Sequence, residues 1–245
     1  MKPFLILILF FSFALSSFAQ QALPDSGFTN KAEAKNLMVN GLKEGKWCEY
    51  MNSQGIIIKD TQNAIYYCLV IYRSGILDGM VHEFNIANGR LEKEAPYSIG
   101  RENGIEKRYY PSGKLMMILP ITNDKKNGIV KGFSQSGELL GETPVTDGKE
   151  NGVAKWYYKS GKLKTETPYT DGKRIGIERE YYEGGKLKRE TPYTDDQKNG
   201  SEKKYYEDGK LQGEAVYIND KWISGKYYEE NGEEIKIPPP PPINK

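Results

Sequence analysis

Few residues in this chain could do bond-making chemistry. His82 is the only histidine and Cys48 and Cys68 are the only cysteines. One histidine cannot build a His-rich metal site, and it leaves a Ser-His or Cys-His nucleophile pair hard to assemble. The cysteine pair allows a disulfide in an oxidising compartment, and two free thiols in strands are the equal alternative. Acidic loops at Asp147-Gly148, Asp171-Gly172 and Asp195-Asp196 invite a calcium reading. Each offers only one or two carboxylates beside Lys149, Lys173 or Lys198, whereas calcium takes six to eight oxygens. Turn formation explains these aspartates more simply. No metal, cofactor or catalytic residue is assigned, and the chain reads as a non-enzyme.

A binding pattern stands out instead. Cations recur as Lys107, Lys131, Lys155, Arg179 and Lys203, each two residues before an aromatic: Tyr109, Phe133, Tyr157, Tyr181 and Tyr205. His82 occupies the cationic position of an earlier copy. Cation and aromatic side by side suit a protein surface, and they suit phosphates, acidic glycans or lipid headgroups. An acidic column, Glu94, Glu142, Glu166, Glu190 and Glu214, runs in parallel. Mixed columns serve solubility and resist edge pairing. With 35 basic and 33 acidic residues, no strong field for nucleic acid is present.

The elements that carry these columns repeat every 24 residues. Gly104, Gly128, Gly152, Gly176 and Gly200 form one ladder; Gly89, Gly113, Gly137, Gly161, Gly185 and Gly209 form another. A fixed period of this length marks a repeat array. Within a copy, β-branched and aromatic residues flank Gly, Ser and Asp, which predicts two strands around a tight turn. Tyr110-Pro111-Ser112-Gly113-Lys114 predicts a type I turn closed by a G1 bulge, with Tyr110 facing Lys114 and Tyr109 facing Leu115. Simple alternation then puts Ile105, Lys107, Tyr109, Leu115 and Met117 on one packed face, together with the column from Tyr97 through Ile121 to Tyr217. The column of Tyr110, Ser134, Tyr158, Tyr182 and Tyr206 is expected to be wetter. Pro96, Pro120, Pro144, Pro168 and Pro192 are expected where each strand leaves the sheet, since proline cannot donate to a ladder. The linking segment, Thr-Asp-Gly-Lys-x-Asn-Gly in its cleanest form, reads as turn throughout.

The ends differ. Residues 1–19 combine Lys2, an apolar run from Phe4 to Leu15 and Ser17-Phe18-Ala19, the pattern of a secretory signal. Export to a periplasm or beyond is expected, without a lipid anchor. Residues 20–39 form a lead segment, residues 40–235 the array, and residues 236–245 a proline-rich tail with five consecutive prolines, Pro238 to Pro242.

Asn151 to Glu166, Asn199 to Glu214 and Asn103 to Leu115 resemble the variant MORN repeat, and Gly41 to Trp47 resembles the opening unit of exported members. Bacterial chains of this kind are labelled YwqK-type antitoxins. The resemblance implies an all-β, elongated, twisted single layer of antiparallel hairpins that binds proteins or membrane surfaces without catalysis. The expectation is a monomeric exported scaffold whose partner is an envelope or extracellular protein. Antitoxin or immunity activity and membrane-surface binding through the Lys/Tyr columns are the alternatives.

Overall fold

The computed structural model describes residues 28–59 and 61–236; the segment expected to be a secretory signal and the five prolines lie outside them. The described residues form a single antiparallel sheet of twenty-four strands, with 3-10 turns only at Lys31–Glu33 and Thr61–Asn63. Strands pair in chain order, hairpin beside hairpin. Five hairpins follow the 24-residue beat and are named here by their leading glycines. Gly104–Tyr109 pairs with Leu115–Thr122, Gly128–Phe133 with Leu139–Thr146, Gly152–Tyr157 with Leu163–Thr170, Gly176–Tyr181 with Leu187–Thr194, and Gly200–Tyr205 with Leu211–Ile218.

The hairpin loop has the expected geometry. Gly113 N–H donates to Tyr110 O at 2.7 Å, Tyr110 N–H donates to Lys114 O at 2.8 Å, and Gly113 takes φ +83°. Tyr109 pairs with Leu115. One residue further the register slips, because Met116 is bulged out and Met117 pairs with Arg108. The same slip recurs in the other four hairpins. A one-residue bulge moves everything beyond it to the other side of the sheet. Met117 therefore shares a face with Arg108, not with Tyr109 and Lys107, and the column from Tyr97 through Ile121 to Tyr217 joins it. The packed face read from simple alternation is thus corrected. The deepest repeat positions lie opposite Tyr109, at Ala95, Leu119, Thr167, Thr191 and Ala215. Small side chains at four of these five positions, with Leu119 the exception, were the available signal.

The linking segment holds more than turn. Asn123 and Asp124 adopt φ +49° and +66°, the paired positive values of a type I′ turn. A two-residue strand, Lys125–Lys126, follows and pairs back onto Ile121 and Thr122. The prolines sit inside their strands rather than at the exits. Pro120 pairs with Ile105 in its own hairpin, and its carbonyl accepts from Asn127 N–H of the next at 2.9 Å. The missing proline N–H thus points at the junction where the neighbouring strand bulges away.

The first unit is a cap with a core on each side. Phe28 packs on Leu69 and Ile71 on one face; Cys68, Val70 and Tyr72 pack with Trp47 on the other. Residues 37–39 already belong to the sheet, pairing with Leu42 to Glu44.

Candidate interaction surface

The register brings the cationic and acidic columns into one line. From strand to strand it reads Glu94, Lys107, Ile118, Lys131, Glu142, Lys155, Glu166, Arg179, Glu190, Lys203, Glu214 and Lys226. The sign alternates on every rung except at Ile118. Arg179 lies 3.5 Å from Glu166 and 3.0 Å from Glu190, and Lys107 lies 3.7 Å from Glu94. Lys155, Arg179 and Lys203 are thus flanked by carboxylates on both sides, and Lys107 and Lys131 on one, so their fields largely cancel within a few ångströms.

The aromatic column stands on this ladder face. Tyr109 Oη donates to Glu94 at 2.6 Å, and Tyr157 and Tyr181 donate to Glu142 and Glu166 at 2.8 Å. Burial, and then the carboxylate partner, push the Tyr157 and Tyr181 hydroxyls up to about 12. Phe133 has no hydroxyl, and the residue on the corresponding rung is Ile118, which has no carboxylate. Donor and acceptor are absent together. The ten sequence-selected residues, Lys107, Tyr109, Lys131, Phe133, Lys155, Tyr157, Arg179, Tyr181, Lys203 and Tyr205, therefore share one face in two adjoining rows.

A third row completes this face. Ile105, Ile129, Val153 and Ile177 are exposed at 42–47 %. They pair within their hairpins with Pro120, Pro144, Pro168 and Pro192. Sequence reading placed Ile105 on this face but expected it packed, and did not single out the row, because a β-branched residue after glycine looks like any strand residue.

The column expected to be wetter is half-buried and stitches the array. Tyr110 Oη donates to Phe133 O at 2.7 Å, and Tyr158, Tyr182 and Tyr206 repeat the bond to Tyr181, Tyr205 and Tyr228. At the other end of the strands, the second turn residue of each link reaches back one copy. Asp124 N–H donates to Glu102 O at 3.0 Å and Gly148 N–H to Lys126 O at 2.9 Å. Turn aspartates add a side-chain bond, Asp124 accepting from Glu102 N–H at 2.8 Å. Each copy is thus tied at both ends, except that Ser134 supplies no tyrosine between the Gly128 and Gly152 hairpins.

Cys48 and Cys68 are free thiols. Cys48 pairs with Leu69 and Cys68 with Glu49, so the two side chains point to opposite faces. No disulfide can span that arrangement. His82 is buried in the ladder row, and burial lowers its pKa. Among the described residues, no three His, Cys, Asp or Glu side chains are grouped to hold a metal.

Residues 102–123, 150–171, 174–195 and 198–219 match the family model described as the MORN repeat variant. Arrays of this repeat are in general non-catalytic scaffolds for protein or membrane interaction. The beat places a further copy between the first and second MORN matches, around the Gly128 hairpin, where the family model does not match. No curated protein matches the chain.

Proposed function

We propose that this chain is an exported, non-catalytic MORN-repeat scaffold that binds a partner protein at the cell envelope through its ladder face. The observation that carries this reading is the exposed aliphatic row Ile105, Ile129, Val153 and Ile177 lying beside a ladder whose charges alternate. An apolar stripe with a polar border is how protein interfaces are built. A charge-cancelled ladder gives little pull toward acidic lipid, which favours protein over membrane. Export rests on the leader pattern of residues 1–19.

A photo-crosslinking residue placed at Ile129 or Val153 in intact producing cells tests the reading. A discrete adduct that disappears in the Ile129→Glu, Val153→Glu double variant is expected. Vesicle binding by the purified chain, with no protein adduct, would move the assignment to the membrane. A captured toxin whose killing is unleashed by deleting this chain would refine it to immunity.

A further inference from the structure

The Gly128 hairpin breaks the pattern on the face opposite the ladder. The register there runs Lys93, Arg108, Met117, Gly132, Gly141, Trp156, Thr165, Glu180, Arg189 and Lys204. Charged side chains fill both ends of this row; Arg189 and Glu180, for instance, meet at 3.0 Å. On one side of Trp156 the row is stripped to glycine, at Gly141 and Gly132. A Cβ at Gly141 would come within 2.6 Å of the indole. The indole therefore packs against bare backbone at Gly141, yet the residue is 51 % exposed. A groove of about 520 Å³ opens here, with Met117, Val130 and Val145 as apolar walls and Lys126 and Lys149 at its border. The indole N–H makes no hydrogen bond with any described residue. The missing Ser134 stitch and the gap between the MORN matches fall on the same copy.

This chain also carries a segment with matching chemistry. Pro238 to Pro242 favour the polyproline II helix, which has flat ring faces and unbonded carbonyls. Such rods dock on exposed aromatic rings, with an indole N–H donating to a proline carbonyl. The tail of the same molecule does not reach. Seven strand steps, about 34 Å along the sheet, separate the Trp156 strand from Glu234–Ile235, whereas Pro240 lies four residues past Lys236, about 12 Å in an extended rod. We propose that the Trp156 groove receives the Pro238–Pro242 segment of a second copy, linking molecules head to tail.

The test uses the full-length chain and a synthetic peptide with the sequence of residues 236–245. Sedimentation velocity should show association that grows with concentration. It should vanish in a chain whose five prolines are replaced by serine, and free peptide should dissolve it. The peptide should shift tryptophan fluorescence, and Trp156→Ala should weaken its binding at least about tenfold with unchanged circular dichroism and melting temperature. Trp156→Phe, which keeps a ring, should retain part of the affinity. A chain that stays monomeric and ignores the peptide overturns the proposal. So does equal peptide binding by Trp156→Ala, or a fluorescence change on serine replacement that is independent of dilution, which would mean docking within one molecule. Saturable binding of a neutral oligosaccharide such as chitotetraose, with no response to peptide, would assign the groove to sugar instead.

Discussion

Gly152 faces Pro144 so closely that a Cβ on it would stand 3.1 Å from the proline ring. The same relationship joins Gly104 to Pro96, Gly128 to Pro120, Gly176 to Pro168 and Gly200 to Pro192. Each glycine holds φ between +111° and +133°, a region that side-chain-bearing residues avoid. The glycine of one hairpin and the proline of the preceding one are therefore a single packing device. Its recurrence explains why both residues keep the 24-residue beat.

Gly152→Ala is expected to destabilise the chain by about 2 kcal/mol or more. Pro144→Ala should relieve the contact but not the backbone strain, so the double variant should recover only part of the loss. Gly132→Ala is the control, since its Cβ would meet nothing within 4 Å and its φ is ordinary. It should change stability by no more than about 0.5 kcal/mol. Urea denaturation of these variants reads all of this.

Removing a stitch should cost less than removing a packing device. Tyr158→Phe keeps the ring but loses the bond to Tyr181 O, an expected loss of about 1 kcal/mol. Ser134→Tyr should do the reverse and tie the Gly128 hairpin to the next one. Hydrogen exchange at the amides of residues 139–157 is the sensitive readout, with slower exchange expected in Ser134→Tyr.

The tyrosine–glutamate pairs predict alkaline sensitivity. Tyr157 and Tyr181 are held at about 12 in the fold, while an exposed tyrosine titrates near ~10. The unfolded chain therefore gives up these protons first, and stability falls as pH rises. The contribution is complete below about pH 10 and is lost as pH climbs through about 12. The Tyr157→Phe, Tyr181→Phe double variant should show a flatter decline in thermal melts taken across that window.

A buried carboxyl pair predicts the opposite end of the scale. Burial, and then the neighbouring Glu106, raise Glu102 to about 7. A raised carboxyl favours the protonated fold, so its contribution is full below about pH 4.3 and is lost as pH rises through about 7. One Glu102 carboxyl oxygen is buried without a hydrogen-bond partner. Glu102→Gln should leave stability unchanged at pH 4 and raise it at pH 8, by on the order of 1 kcal/mol. Chemical denaturation at the two pH values measures the difference.

Much of this was legible in the chain. The beat, the hairpins and the loop Tyr110 to Lys114 follow from turn chemistry, which is local. The bulge at Met116 was not legible, because it consumes one residue in every copy and leaves the period intact. That omission turned the wrong face inward on paper. Both charge columns were visible, but their interleaving depends on register across hairpins, which no single copy encodes. Ser134 looked like tolerance of a polar residue at a wet position. In the fold it marks a missing bond, and only the partner carbonyl of Tyr157 reveals what is lost. Cys48 and Cys68 were near enough in order to suggest a staple; the one-residue offset between their strands decides against it.

The stitching has a mechanical consequence. Tension between the first and last strands acts across the ribbon, so it peels neighbours apart in sequence rather than shearing them all at once. Three of the four joints between successive copies from Gly104 onward carry a phenolic fastening. The joint between the Gly128 and Gly152 hairpins does not, and it is where a stretched molecule should part first, leaving two intact halves with Trp156 on the freed edge of the second.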